Sequence, residues 1–186
     1  MRGWRLGWDH SRSPGVEAGL EATRYWEPPT VTWSYAAHVA IVEVDPETGH
    51  IKIDKYVIAH DCGTVVNPLL AEGQIAGGTA QGIGGILLEE IGYDADGQLL
   101  TGSLTDYLVP TASDIPDMQM IHQHSPSPLN PLGVKGVGEG GAVAPPAAIT
   151  NAICDALSMF GVEFNATPIT PERVVQAVRG LRPGTT

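Results

Sequence analysis

Apolar and polar residues fall in short runs with two different periods, and these runs predict the elements. From Tyr35 to Val44 the order Tyr-Ala-Ala-His-Val-Ala-Ile-Val-Glu-Val is dominated by small and β-branched residues and predicts a buried strand. Asp45-Pro46-Glu47-Thr48-Gly49 follows as a turn, and Ile51, Ile53, Tyr56, Val57 and Ile58 form the returning strand of a hairpin. After the stop at Asn67-Pro68, residues 69–90 place Ile75, Ile83, Ile86 and Leu87 at helical intervals. Tyr93 to Gly97 is a second acidic turn, Leu99 to Leu108 reads as strand then loop, and Met118 to His124 alternates as a short strand. Pro145-Pro146 opens a helix running to about Met159, and Thr170 is placed as the N-cap of a last helix that ends before Gly180. Together these elements predict an α+β fold in which a β-hairpin and short strands pack with glycine-rich helices.

The predicted helix over 69–90 carries six glycines, at 73, 77, 78, 82, 84 and 85. Each costs on the order of 1 kcal/mol relative to alanine inside a helix, so local propensity cannot hold it together. Something must approach its backbone closely, either a neighbouring element packed tightly or a cofactor lying against the small face. Glycine and proline, 23 and 15 of 186 residues, confirm an ordered but loop-rich chain, with 42 % hydrophobic residues available for a core.

Charge narrows the partners. Lys and Arg number 10 against 21 Asp and Glu, a formal net charge of −11, which opposes binding to nucleic acid or to an anionic membrane surface. No apolar run approaches the roughly 18 residues of a membrane span, and the amino end has no signal-like apolar core. Two cysteines, Cys62 and Cys154, are too few for a disulfide scaffold and suit a reducing cytoplasm. His122 and His124 would share one strand face, but no third ligand lies nearby in sequence, so hydrogen-bonded or solvated histidines are expected rather than a metal site. Residues 1–30, with three of the four tryptophans, have no sustained periodicity and suit an extended arm.

The densest chemical signal is Gly133-Val134-Lys135-Gly136-Val137-Gly138-Glu139-Gly140-Gly141. Five glycines in nine residues expose main-chain N–H groups to a ligand and leave one carboxylate, Glu139, uncrowded, as a general base requires. Lys135 is the only Lys or Arg between Tyr56 and Glu172, beside thirteen carboxylates, and points to an anionic group nearby, the alternative being a pairing with a surface carboxylate. Gly136-x-Gly138-x-x-Gly141 formally matches a dinucleotide fingerprint, but Pro128-Leu129-Asn130-Pro131 before it is no strand, so a Rossmann site is not expected.

Three ordered motifs, namely His60-Asp61-Cys62-Gly63-x-x-x-Asn67-Pro68, Gly73-Gln74-x-x-Gly77 with Gln81-Gly82 and Glu89-Glu90, and Asn130-Pro131-x-Gly133-x-Lys135-Gly136-x-Gly138-Glu139, carry a resemblance. Their set resembles the carboxy-terminal part of the molybdopterin-binding large subunit of the xanthine dehydrogenase and aldehyde oxidase family, most of all the carbon-monoxide dehydrogenase large-chain branch. The likeness runs over residues 16–186, read as a segment of the molybdopterin-binding domain, and leaves residues 1–15 as a poorly matching arm.

The resemblance implies chemistry for particular residues. In this family a glutamate takes a proton from a hydroxyl on pterin-bound molybdenum, and Glu139 aligns with it. Gln74 aligns with a glutamine that hydrogen-bonds the cofactor, Asp61 and Cys62 fall where related chains contact the pterin or its nucleotide, and Gly138 would bring its N–H near the metal centre. Lys135 joins them as a cofactor-binding candidate, and no residue here is a direct metal ligand. The implied cofactor is molybdenum-molybdopterin, as its cytosine dinucleotide, with iron-sulfur centres and FAD on a small and a medium partner subunit. Large subunits of the family have several hundred residues upstream of these motifs, so this chain would supply one wall of the site and need the remaining large-subunit polypeptide. The alternative is a truncated, non-catalytic assembly fragment that binds partner chains only.

Overall fold

The computed structural model describes residues 23–180, and the arm expected at residues 1–15 lies outside the described residues. Strands β1 (Tyr35–Val44) and β2 (Ile51–Asp61) form the antiparallel hairpin, with a register shift between Ile41 and Val42. Its turn is built by Asp45, whose carboxylate accepts from Glu47 N at 2.9 Å and Thr48 Oγ1 at 2.6 Å. Gly49 takes φ 75°, a conformation open to glycine, and its N–H closes the turn onto Asp45 O at 2.8 Å. Strand β3 (Met118–Gln123) then pairs with β2 in parallel, Tyr56 opposite Met118 and His60 opposite His122, so β2 is central in the order β1-β2-β3.

Helix α1 (Pro68–Leu87) connects β2 toward β3 and starts where the sequence stops the strand. The Asn67 side chain accepts from Leu70 N at 3.3 Å, and Pro68 takes the first-turn position where its missing N–H costs nothing. Helix α2 (Pro145–Ala156) ends earlier than expected and passes into a 3₁₀ turn at Ser158–Phe160, terminated by Gly161 in the left-handed region. Helix α3 (Pro171–Val178) is capped by Thr170, whose hydroxyl accepts from Arg173 N at 3.3 Å. The core lies between the sheet and the helices, built from Tyr56 and Ile58 of β2, Ile75, Ile83 and Ile86 of α1, Ile149 and Ile153 of α2, with Leu157, Ile169 and Val174. Among the described residues no helix is long and apolar enough to cross a membrane.

Four expectations need correction. Strand β1 is not buried on both sides: Tyr35, Val39 and Ile41 are more than half exposed, because helices cover only the inner face of the sheet. Leu99 to Leu108 holds no strand, only a single bridge from Leu99 to Tyr93. The acidic turn before it forms as read, with Asp94 Oδ1 accepting from Asp96 N and Gln98 N. His124 falls beyond β3 while His122 pairs with Glu72 across 3.3 Å, and no metal-binding group of three or more such side chains occurs among the described residues. The six glycines of α1 also divide. At Gly78, Gly82 and Gly84 a Cβ would press on Ala142, Pro145 and Pro110, whereas at Gly73, Gly77 and Gly85 it would meet nothing within 4 Å.

Candidate functional site

The glycine loop is side-chain-poor but firmly tied. β2 ends in His60-Asp61 and the chain turns at Gly63, φ 70°, against the loop. A side chain at Gly63 would run into the Gly133 carbonyl, so the two backbones meet directly. Gly63 and Val134 form an antiparallel bridge, Thr64 N donates to Gly133 O at 3.0 Å, and Lys135 N donates to Cys62 O at 2.8 Å. Asn130 clasps Val134 twice, donating from Nδ2 to its carbonyl at 2.9 Å and accepting its N–H on Oδ1 at 3.1 Å. Farther on, Gly136 N donates to Thr32 O at 3.0 Å and Thr79 Oγ1 of α1 donates to Gly141 O at 3.2 Å. These ties hold the loop on either side of residues 138–140, and a single acidic side chain lies between them.

That side chain is Glu139. Its carboxylate is exposed and has no hydrogen-bond or ion-pair partner among the described residues, and it lines a cavity of about 810 Å³. Trp26, Trp33, Tyr35 and Ala36 also line it, together with Gly138 and Gly140 beside Glu139. A Cβ at Gly138 would meet nothing within 4 Å, so its backbone is open to approach. Gln74 stands exposed on α1 beside Ile75, whose carbonyl abuts Gly141, with Gly73 and Gly77 as open space on the same part of the helix.

Buried Asp61 and Cys62 and part-buried Lys135 form a separate group beside the cavity rather than in its lining. Asp61 is 0 % exposed, and its Oδ1 accepts from Gly63 N at 2.7 Å and from Lys135 Nζ at 3.1 Å. Burial pushes the Asp61 carboxyl up, but the Gly63 amide, the Tyr35 hydroxyl and the Lys135 ammonium outweigh it and hold it below its ordinary value. The ammonium also lies 4.7 Å from the centre of the Tyr35 ring. The anionic group that the lone lysine pointed to is therefore a carboxylate of the chain itself, and Lys135 acts on the site through Asp61. Cys62 is buried, and burial pushes its thiol up, so it is a protonated, packed residue whose carbonyl anchors the loop.

These residues fit a large polar cofactor in part. Gln74 offers a free amide donor and acceptor, Gly138 an open backbone, and Asp61 a buried Oδ2 that has no hydrogen-bond partner among the described residues. The Lys135 ammonium does not fit as a direct anion ligand, since Asp61 already holds it. His60 went unassigned in the sequence although it stands in the same motif. It is buried against Gly140, and strand alternation, which turns His60 inward while Asp61 faces the other way, was the available signal.

Known proteins share this fold. The sequence profile of the molybdopterin cofactor-binding domain family matches residues 7–116. The nicotine 6-hydroxylase large subunit of Paenarthrobacter nicotinovorans is 45 % identical over 175 residues, 94 % of this chain and 21 % of that one. The carbon monoxide dehydrogenase large chain of Hydrogenophaga pseudoflava is 36 % identical over 170 residues, 91 % of this chain and 21 % of its own length. The crystal structure of quinoline 2-oxidoreductase from Pseudomonas putida 86 superposes with a TM-score of 0.85 at 44 % identity, covering 92 % of this chain and 22 % of that one. This chain, spanning about a fifth of the length of the relatives it matches, belongs to the molybdopterin-binding large-subunit family of xanthine dehydrogenase and carbon monoxide dehydrogenase type.

Proposed function

We propose that this chain supplies the general base, Glu139, and one wall of the cofactor site in a multi-subunit molybdenum oxidoreductase. The observation that carries this is the free, exposed Glu139 carboxylate on a loop tied at Val134, Lys135, Gly136 and Gly141, facing an open cavity beside the bare backbone of Gly138. A base of this kind needs position and access more than strong intrinsic basicity. Gln74, Gly138 and Asp61 would hold molybdenum-molybdopterin, as its cytosine dinucleotide, which when bound supplies the redox centre for substrate oxidation, whereas Cys62, buried with its carbonyl on Lys135 N, serves the packing beneath the loop. Gln74 would orient it through its amide, Asp61 would accept a hydrogen bond on Oδ2, and Lys135 would keep Asp61 ionised for that role.

Nicotine, quinoline and carbon monoxide, named for the relatives, and hypoxanthine, named for another relative, make up a first substrate panel. The remaining large-subunit polypeptide would close the site, and iron-sulfur and FAD subunits would carry electrons away. Two unpaired cysteines suit a cytoplasmic setting for that assembly. Glu139→Gln tests the assignment: it preserves volume but cannot accept the proton. In the complex assembled with its companion polypeptides, turnover should fall about 10²-fold or more with molybdenum content unchanged. Single-turnover reduction that stays near normal with full metal would refute it. The nearest competing role, an ion pair with Lys135 that merely shapes the loop, is not supported, because that ammonium is bound to Asp61.

A further inference from the structure

Directly beneath the Glu139 loop lies a histidine with no evident reason to be polar. His60 is 1 % exposed, and neither ring nitrogen has a hydrogen-bond partner among the described residues. A hydrocarbon side chain would fill the same space without leaving polar atoms unpaired, so the imidazole costs stability that packing alone does not require. Its surroundings indicate what it supports. Across the sheet it sits between Ala36 of β1, which lines the cavity, and His122 of β3. On the loop side its Nε2 faces Gly140: a Cβ there would lie 2.5 Å from Nε2, 3.3 Å from Cδ2 and 3.6 Å from Cε1. The glycine between Glu139 and Gly141 therefore rests on the edge of the imidazole ring, and the space left for residue 140 is set by that ring.

We propose that His60 is a positioning residue for Glu139, its imidazole edge forming the seat that sets the height and tilt of the Gly138–Gly141 turn. This rests on Glu139 being the base. The loop is anchored by hydrogen bonds on the Gly136 side, through Thr32, and at Gly141, through Thr79, but between these two ties no backbone hydrogen bond to another element holds Gly138 to Gly140 among the described residues. Contact with His60 supplies the missing support. Strand β2, central in the sheet, makes the seat rigid, and the Asp61-Cys62 end of the same strand fixes the other side of the loop through Lys135 N.

The test uses the complex assembled with its companion polypeptides and the variants His60→Ala, His60→Gln, Gly140→Ala, His60→Ala with Gly140→Ala, and Glu139→Gln. Readouts are molybdenum content, kcat and KM with the substrate panel, and amide hydrogen exchange across residues 138–142. His60→Ala should lower kcat about 10-fold to 10²-fold through displacement of the base while KM moves within about twofold and metal stays bound. Exchange across 138–142 should accelerate in His60→Ala, and His60→Gln, which restores volume and a polar N–H, should recover most of both losses. Gly140→Ala should be impaired by the collision with the ring, and adding His60→Ala should raise its activity above that of Gly140→Ala alone. Unchanged kcat in His60→Ala while Glu139→Gln is inactive overturns the positioning role alone. So does a double variant no better than Gly140→Ala, or a loss in His60→Ala that is accompanied by lost metal and not repaired by His60→Gln. Retained turnover in Glu139→Gln overturns the base assignment and this role with it.

Discussion

Replacing Lys135 by methionine removes one charge from a pair whose other member has nowhere to go. Lys135 Nζ lies 3.1 Å from Asp61 Oδ1, with the side chains 11 % and 0 % exposed. Taking away the ammonium leaves a buried carboxylate supported by the Gly63 amide at 2.7 Å and by the Tyr35 hydroxyl. Breaking a buried pair in this one-sided way costs about 3–5 kcal/mol, and the surviving Gly63 hydrogen bond argues for the lower end, about 3 kcal/mol. For a chain of this size each kcal/mol is worth roughly 2–4 °C, so Lys135→Met should lower the melting temperature by about 6–12 °C. The assay is thermal and urea unfolding of the 186-residue chain followed by far-ultraviolet circular dichroism. Adding Asp61→Asn should partly rescue it, since the double variant no longer buries an unpaired charge, and should be more stable than Lys135→Met by about 1 kcal/mol or more. A melting shift below about 2 °C, or a double variant less stable than the single one, would refute the assignment of this pair as a buried, coupled unit.

Two further outcomes follow from the structure. Gly77→Ala, where a Cβ meets nothing, should stabilise the isolated chain by up to about 1 kcal/mol, while Gly141→Ala, whose Cβ would collide with the Ile75 carbonyl, should destabilise it. In the assembled complex Gly77→Ala should lower molybdenum content if the cofactor lies on that open helix face, and urea midpoints together with metal analysis read both effects. Stability should also fall with acid in two stages. Burial, with neighbouring histidine charge, lowers the pKa of His38 and His60 below the ordinary 6.5, so the unfolded chain takes up those protons first. Their contribution is full above about pH 6.5 and is lost as pH falls through the folded pKa values, and His60→Gln should flatten that stage in urea titrations between about pH 7 and 5. The lowered pKa of Asp61 adds the second stage, present above its ordinary 3.8 and lost below it. An unchanged pH profile in His60→Gln would contradict the neutral, buried state of that ring.

Short-range chemistry by itself determined the hairpin, its Asp45-to-Gly49 turn, the Asn67-Pro68 start of α1 and the Thr170 cap of α3, because each depends on residues a few positions apart. The three ordered motifs likewise determined the family, since they survive as a pattern of residue types without any geometry. Tertiary structure decided what depends on distant partners. Lys135 announced an anion, but only folding across 74 residues placed Asp61 beneath it. Six glycines announced close approach to α1, but which face packs and which stays open depended on where Ala142, Pro145 and Pro110 came to rest. The parallel pairing of β3, the exposed outer face of β1 and the seat that His60 makes for Gly140 are of the same kind. A local pattern records what a residue can do, whereas burial, ion pairing and support are properties of the neighbours that the completed fold brings to it.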